Sequence, residues 1–414
     1  MDVGAAKALL EEGCSRFDVP GAQVGLLRGA ERAVVCAGSV SLEGPHVVPA
    51  TAFHAGSIAK SLTALTVLAA ARRGQLGLDV PCAEQADGLW SDTPRQLMAQ
   101  TTGRPNLLPD VGEDIDAFVA RVAALPRVHE PGRFSYCNAG WSVLDVLLRR
   151  TCGATFEQSA SAALGPDTIF GVPPGAAHGH GAAPAQPAHS VPSDLADAAS
   201  AAGARWWVSA DQLLTYAQLH LQSGSGRFVV EDVLEQRRPA ARVPGATMAD
   251  SWGLGWALWH RGEHRAFGWA GYTGGHRAYL RCFPDQQAAV VVLANCAGPL
   301  FGPPGGSALF DAMLPHLLHM VGVPPLLEPP AEPAGRATAD LAGRYGPVSL
   351  LADDPDTVLL DAAAYGAPGL VRYRRAGGER FVNEANVPGG MVIAVDTDRQ
   401  GDLLYLGPFA LRRS

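Results

Sequence analysis

The tetrapeptide Ser57-Ile58-Ala59-Lys60 constrains this chain more than any other feature. It opens a stretch rich in helix formers that continues to Arg73. Residues three apart share one face of a helix, so we expect the Lys60 amine beside the Ser57 hydroxyl. Serine is a weak nucleophile without an adjacent base, and lysine can be that base because desolvation lowers its pKa. The same spacing also occurs at ordinary helix starts with a solvated lysine, so it needs support from the rest of the chain.

Two later segments supply that support. The first is Tyr136-Cys137-Asn138, a Y-x-N pattern between a Glu-Pro-Gly turn at 130–132 and a second helix-like stretch. The second covers residues 268–276 and reads GWAGYTGGH. Strand-like runs follow it at 277–283 and 288–295, separated by a turn, which predicts a glycine-rich β-hairpin.

A serine-lysine pair, a Y-x-N loop and a glycine-rich hairpin, in this order, resemble the serine β-lactamase and penicillin-binding-protein superfamily. The details are similar to its class C branch, which includes esterases, D-peptidases and acyltransferases. The resemblance covers about residues 15–322 and includes weaker landmarks at 74–81 and 93–103. It implies an α+β fold of the class C β-lactamase type, with an antiparallel sheet flanked by helices and a mostly helical lobe at about 53–221.

The resemblance also assigns catalytic roles to four side chains. Ser57 would be the nucleophile that forms a covalent acyl-enzyme. The base would be Lys60, if burial holds it neutral, or Tyr136, if Lys60 acidifies its phenol; the sequence leaves both open because their titrations would be coupled. Asn138 would orient Lys60 or the carbonyl or amide group of the substrate.

The glycine-rich hairpin is expected to supply the oxyanion hole. The resemblance implies that the backbone N–H groups of Ser57 and Tyr272 form it, and that Gly271 lets the strand approach closely. Loss of one such donor typically lowers the rate by about 10²–10³. We therefore assign Tyr272, Gly271 and Trp269 to oxyanion and substrate binding.

Position 269 departs from the family pattern, because Trp269 stands where relatives carry Lys or often His. An indole N–H only donates and carries no charge, so recognition of β-lactams or free carboxylates becomes doubtful. His276 and Arg277 could partly restore a cation, although a histidine at a strand end is more often a surface residue. Gln100 stands where the family often has His, and the sequence assigns it no role.

Composition limits the classes of partner and the cellular compartment that we expect for this protein. The 414 residues carry a net charge of −8 and no Lys- or Arg-rich run, so we expect no nucleic-acid partner. No apolar stretch of about 18 residues predicts a membrane span, and the N-terminus lacks the pattern of a secretory signal, so a cytoplasmic protein is expected. Seven dispersed cysteines without C-x-x-C pairs predict no zinc site, and we predict no metal and no cofactor. Nothing indicates the oligomeric state.

The chain is expected to contain two domains. The catalytic domain would cover residues 1–323, with hairpins at 22–37 and 277–295 and a closing helix at 307–321. A proline-rich linker would cover 324–338. Five short β-type segments then predict a small antiparallel β domain at 339–414, similar to the lipocalin-like appendages of some family members.

These features predict a serine acyl-transfer enzyme. A small-molecule ester or thioester would donate its acyl group to Ser57, and an amine or water would accept it, in the biosynthesis of an antibiotic or peptide. Three alternatives stay open: a D-stereospecific peptidase or β-lactamase, a macrocyclising thioesterase of the penicillin-binding-protein type, and a non-catalytic binding or sensor module. The macrocyclising type also carries a small β domain. The sensor is disfavoured because Ser57, Lys60, Tyr136 and Asn138 are all present.

Overall fold

The structure is a computed structural model that describes every residue except 166, 184–185, 192–195, 223–228, 300–303, 326, 330–331, 334, 366, 368 and 386–390. The helices are α1 Val3–Arg16, α2 Ala59–Arg72, α3 Cys82–Gln85, α4 Pro94–Met98, α5 Ile115–Ala123, α6 Ala139–Cys152, α7 Phe156–Leu164, α8 Ala210–Leu221, α9 Val230–Gln236, α10 Gly306–Met320 and α11 Thr338–Leu341. Short 3₁₀ turns cover Gly56–Ile58, Asp197–Ala202, Pro244–Ala246 and Ala363–Tyr365.

The strands form two large antiparallel sheets and two small ones. In chain order they are β1 Gly21–Arg28, β2 Glu31–Gly38, β3 Phe53–His54, β4 Ile169–Phe170, β5 His180–Ala183, β6 Gln186–Ser190, β7 Trp206–Val208, β8 Ala241–Arg242, β9 Ser251–Trp252, β10 Ala257–Arg261, β11 His264–Thr273, β12 His276–Phe283, β13 Ala288–Ala294, β14 Gly343–Tyr345, β15 Val348–Asp354, β16 Thr357–Asp361, β17 Leu370–Gly377, β18 Arg380–Asn383, β19 Ile393–Asp398, β20 Gly401–Leu406 and β21 Phe409–Arg412.

The first large sheet has the order β2-β1-β13-β12-β11-β10-β9-β8. Its centre is covered on both faces, which explains why β13 is apolar at every position. Val290 and Val292 pack with α1 and α10, whereas Val291 and Leu293 face α8 and the helical lobe. The two expected hairpins and the closing helix are confirmed within this layer.

The helical lobe is built around α2. Its residues from Ala59 to Leu68 are buried throughout, because α6, α7 and α9 pack around it. A helix that is surrounded in this way has no solvent face, so its polar side chains are buried with the rest, and the hydroxyl groups of Ser61, Thr63 and Thr66 bond to backbone carbonyl oxygens. The lobe also contains the three-stranded sheet β3-β7-β4.

The second large sheet runs β14 to β21 in sequential order and almost closes on itself. A bridge between Tyr345 of β14 and Arg413, the residue after β21, connects the two ends of the sheet. The expected C-terminal antiparallel β domain is confirmed, and all five predicted segments fall on strands. The sequence did not indicate β14, β18 and β21, because three or four residues are too few to show a readable alternation.

This second sheet lies against the loop that carries the Y-x-N pattern. The carbonyl oxygen of Pro408, in the β20–β21 turn, accepts the Tyr136 N–H at 3.1 Å. The Tyr405 hydroxyl donates to the Phe134 carbonyl at 2.9 Å, and Arg412 Nε donates to the Val128 carbonyl at 3.0 Å. The C-terminal sheet is thus bonded directly to a loop of the expected active site.

Candidate active site

Ser57 lies in a tight turn between β3 and α2, at the meeting point of the sheet and the helical lobe. The turn Gly56–Ile58 is 3₁₀, and α2 begins at Ala59. Gly56 has φ +54°, and a Cβ there would lie 2.8 Å from the Cα of Gly271. A Cβ at Gly271 would lie 2.1 Å from the Ala55 carbonyl oxygen. Glycine at both positions is therefore required for β11 to approach the serine turn so closely.

Lys60 is fully buried beside Ser57, as the helical spacing predicts. Its Nζ donates to Ser57 Oγ at 3.0 Å and also to the carbonyl oxygen of Ala202. Desolvation lowers the pKa of Lys60 well below its usual value, and the nearby Cys137 thiol only partly opposes this shift. The site therefore favours an uncharged amine that can accept a proton.

The Tyr136 phenol completes a three-residue cluster. It is hydrogen-bonded to Ser57, and its ring centroid lies 5.1 Å from Lys60 Nζ. Burial raises the pKa of Tyr136, while the hydrogen bonds from Ser57 and Trp269 partly offset that increase. The two shifts run in opposite directions, and together they favour a protonated phenol and an uncharged lysine.

The indole of Trp269 lies directly against this cluster. Its Nε1–H donates to the Tyr136 phenol oxygen at 3.2 Å, and its ring packs edge-on against Trp252 at 4.8 Å. Phe409 from the C-terminal sheet contacts the Tyr136 ring at a centroid distance of 5.9 Å. The rings of Trp252, Trp269 and Phe409 thus surround the phenol.

The register of the glycine-rich hairpin orients the Tyr272 N–H. Thr273 pairs with His276 across a two-residue loop, and Tyr272 pairs with Arg277. Because hydrogen-bonded and non-bonded pairs alternate in an antiparallel ladder, the Tyr272 N–H points away from β12. The serine turn lies on that side, since a Cβ at Gly56 would be 3.1 Å from the Tyr272 nitrogen. The Tyr272 N–H therefore faces the serine turn, and its part in an oxyanion hole stays a prediction.

Asn138 precedes α6 and faces the same space. Its backbone N–H and its side-chain amide both donate to Asn106 Oδ1, each at 2.9 Å. The hydrogen bonds of Lys60 go to Ser57 and Ala202 instead. The structure therefore connects Asn138 to the Asn106 loop and leaves it facing the cavities beside Ser57, where a substrate group would lie.

Two cavities meet at Ser57. The larger has a volume of about 630 Å³ and extends from Tyr136 and Trp269 to the C-terminal sheet. The smaller has a volume of about 200 Å³ and is lined mainly by small residues near Ala199 and Ala202. Ser57, Leu108, Asn138 and Tyr272 line both. The nucleophile is therefore accessible from two directions with different linings.

Comparison with known proteins agrees with this geometry. The sequence profile of the family described as Beta-lactamase matches residues 7–309. The chain belongs to the beta-lactamase family. Penicillin-binding protein 4 of Amycolatopsis lactamdurans is 26% identical over 334 residues, which cover 73% of this chain and 86% of that protein.

Several solved structures share the architecture of this chain. SurE matches with a TM-score of 0.79 and 26% identity, over 99% of this chain and 98% of SurE. SurE with D-Leu matches with a TM-score of 0.76 and 27% identity, over 99% of both chains. A class C β-lactamase from Rhodobacter sphaeroides matches with a TM-score of 0.61 and 23% identity, over 72% of this chain and 95% of that one. The expected superfamily and class C fold are confirmed, and the chain is an enzyme of the serine hydrolase type that binds small-molecule substrates.

The expectation that His276 lies at the surface is wrong. His276 is fully buried, with Phe53, His54 and Trp207 packed around its ring. Burial holds its pKa well below the usual value, so it supplies no cation. Arg277 does carry a charge at the larger cavity, where its guanidinium stacks 3.6 Å from the centroid of the Tyr272 ring.

Gln100 positions the Y-x-N loop, a role that the sequence did not reveal. Its Oε1 accepts the Cys137 N–H at 2.7 Å, and its carbonyl oxygen accepts the Ser135 N–H at 2.8 Å. Its backbone has φ +60°, which is unusual for a residue with a side chain. These bonds hold the residues on both sides of Tyr136, but no local pattern distinguishes such a glutamine from a surface one.

His54 positions the serine turn in a similar way. Its Nδ1 accepts the Gly56 N–H at 3.0 Å, so the ring proton is on Nε2, which donates to the Ala204 carbonyl at 2.8 Å. Burial lowers the pKa of His54 to about 4. A neutral histidine therefore joins the serine turn to the loop that contains Gly203 and Ala204.

The structure adds two observations on partners. Within the described residues, no group of three or more His, Cys, Asp or Glu side chains could hold a metal ion. Of the helices in the described part of the chain, none is long and apolar enough to cross a membrane.

Proposed function

We propose that this protein is a serine acyltransferase that takes an acyl group from an ester or thioester and passes it to an amine or to water. The observation that carries the proposal is the hydrogen bond between Ser57 and a fully buried Lys60 whose pKa is lowered. A neutral amine at this distance is the base that a serine nucleophile needs. The proposed setting is the cytoplasmic biosynthesis of a small molecule, such as an antibiotic or a peptide.

In the acylation step, Lys60 takes the Ser57 proton while Oγ attacks the carbonyl carbon of the donor. The developing oxyanion lies between the N–H groups of Ser57 and Tyr272. The carbonyl then reforms, the bond to the alcohol or thiol breaks, and the leaving group receives the proton through Lys60 and Tyr136. The product of this half-reaction is an ester on Ser57.

In the second step, an amine attacks that ester. A C–N bond forms, the C–Oγ bond breaks, and the proton of the amine returns to Ser57 Oγ through Tyr136 and Lys60. Trp269 provides no charge beside Tyr136, and the Arg277 guanidinium at the same cavity is stacked on the Tyr272 ring, which favours transfer over recognition of a free carboxylate next to the phenol. Exclusion of water by these rings would lengthen the life of the acyl-enzyme.

The test measures how the acyl group of a methyl or p-nitrophenyl ester partitions between acid and amide as the amine concentration rises. We expect the amide fraction to increase in the wild type and to decrease in Trp269→His. Ser57→Ala should lose both products, as well as the mass increase that a fluorophosphonate causes, while its circular dichroism is unchanged. Efficient turnover of nitrocefin or penicillin, with no amide from any amine, would reject the acyltransferase in favour of an ordinary hydrolase.

A second candidate is suggested by the match to SurE, which extends over both large sheets. Since a structure of SurE contains D-Leu, we propose that a peptidyl thioester ending in a D-residue is a donor, and that its own N-terminal amine is an acceptor. The reaction would then cyclise the peptide. Peptide thioesters that end in D-Leu or L-Leu test this, because a cyclic product is 18 Da lighter than the hydrolysed peptide, the mass of one water. Equal hydrolysis of both without cyclic product would reject this candidate.

A further inference from the structure

We infer that the C-terminal sheet selects the acceptor, an amine attached to an apolar side chain that binds in the larger cavity against Met391, Phe409 and Leu411. The inference rests on the proposed function and specifies its second substrate. The observation behind it is that Ser57 lines both cavities, whereas Tyr136 lines the larger cavity and not the smaller one.

The first step of the argument is the position of Tyr136. Among the described residues, Tyr136 and Trp269 line the larger cavity and do not line the smaller one. An attacking amine must lose a proton, and a departing alcohol or thiol must gain one, within reach of Tyr136 or Lys60. Both therefore occupy the larger cavity, and the acyl chain is left with the smaller one.

The smaller cavity suits an acyl chain. Its volume of about 200 Å³ and its lining by Leu108, Pro109 and several alanines fit one compact aliphatic group. Tyr272, whose N–H faces the serine turn, lies at its junction with the larger cavity. An acyl group bound there would place its carbonyl oxygen at the oxyanion donors.

The second step is the origin of the walls of the larger cavity. One wall comes from the C-terminal domain, with the apolar side chains of Phe409 and Leu411 on β21 and of Met391 just before β19. Leu411 is half-buried and lies two residues from Phe409 on β21, so both side chains are on the same face of the strand. The opposite wall carries the hydroxyl groups of Tyr279 and Ser307, together with the polar side chains of Arg277 and Asp311.

This arrangement defines the class of acceptor. The apolar wall would bury an aliphatic or aromatic side chain, and the hydroxyl groups of the opposite wall could bond the amide of an amino-acid amide. Burying a leucine-sized side chain improves binding by about tenfold to a hundredfold over glycine. The cavity volume of about 630 Å³ lies within the range of small-molecule sites.

The group transfer needs no co-reactant. The bond from the acyl carbon to Ser57 Oγ breaks as the bond to the amine nitrogen forms, and one proton moves from nitrogen to Oγ. The selectivity therefore depends on how the amine binds, and with a donor whose leaving group is small it should change with little change in acylation.

The experiment uses the full chain and a methyl ester donor, whose small leaving group needs little of the larger cavity. Leucinamide, phenylalaninamide and glycinamide are the acceptors, and the amide-to-acid ratio is measured beside the total rate of product formation. The variants are Leu411→Trp, which fills the cavity, and Leu411→Ala, which enlarges it and is tolerated more easily. Leu351→Trp is the control, because Leu351 lies on β15 of the same sheet and is 43% exposed.

In the wild type we expect a tenfold or greater preference for leucinamide over glycinamide. Leu411→Trp should remove that preference, Leu411→Ala should shift it toward phenylalaninamide, and Leu351→Trp should match the wild type. This inference would be overturned if the amide-to-acid ratio were the same for all three amines, or if it were the same in all variants. Either result would leave the proposed acyltransferase activity intact. Absence of amide with every amine would overturn both.

Discussion

The indole N–H of Trp269 donates to the phenol oxygen of Tyr136 at 3.2 Å. Relatives are expected to have a lysine or histidine at this position, and the structure shows a neutral donor directed at the same phenol. The contact holds the phenol in place beside Ser57 without adding a charge to the site. Because Trp269 adds no charge, we expect the enzyme to transfer the acyl group to amines rather than to bind free carboxylates beside Tyr136.

Trp269→Phe should lower kcat for a simple ester about fivefold, because it keeps an aromatic ring and removes one hydrogen bond of about 1 kcal/mol. Trp269→His should recover part of kcat, since a histidine N–H can donate again. Steady-state kinetics from pH 6 to 9 would measure both. A Trp269→Phe enzyme with wild-type kcat would show that the hydrogen bond has no role in turnover.

Lys60→Ala and Tyr136→Phe should each slow acylation by several orders of magnitude, and the double variant should be little slower than either one. Residues that move the same proton are strongly non-additive in their effects. Burst kinetics with a p-nitrophenyl ester would give the three rates. Losses that multiply in the double variant would contradict a shared proton relay.

Lys60→Met should stabilise the protein at neutral pH. In the unfolded chain the lysine protonates below about 10.5, whereas the folded protein keeps it neutral to a much lower pH. The unfolded state then binds more protons, so the stability of the wild type falls as the pH falls through this window. The advantage of the variant in the free energy of unfolding should therefore grow by about 1.4 kcal/mol for each unit by which the pH falls. Urea unfolding of both proteins from pH 10 to 8 measures this gain. If the difference in the free energy of unfolding between the two proteins did not change with pH, a neutral Lys60 in the folded protein would be refuted.

His54 should make the wild type sensitive to acid. Its pKa is about 4 in the folded protein and 6.5 when unperturbed, so the unfolded chain takes up the proton first. The stability from this group is complete above pH 6.5 and is lost as the pH falls toward 4, by about 3 kcal/mol in total. His54→Asn should unfold with a shallower pH dependence between pH 7 and 4.5. Identical slopes would assign the acid sensitivity to other buried histidines.

Gln100→Leu should lower kcat about tenfold with little change in KM, because the loop around Tyr136 would lose the bond from Cys137 N–H to Gln100 Oε1. The control is Gln75→Leu, an exposed glutamine in the loop after α2. Both variants should have native circular dichroism. Equal kinetics for the two would remove Gln100 from the positioning residues.

The sequence determined those features that depend on neighbours along the chain. Ser57 and Lys60 meet because residues three apart on a helical turn must share a face. The hairpin at 277–295 and most strands of the C-terminal sheet follow from apolar runs and turn residues. The order of three motifs was enough to identify the superfamily, since each motif has a recognisable local pattern.

The tertiary structure alone decided which distant groups surround those motifs. His276 has the local pattern of a surface residue, yet Phe53 and Trp207 cover it from other strands. Gln100 and Pro408 hold the Tyr136 loop through bonds that no periodicity encodes. The larger cavity likewise exists only because the C-terminal sheet packs against that loop. Local pattern sets the direction of a side chain within its own element, but its burial, its pKa and its partners depend on what packs over it.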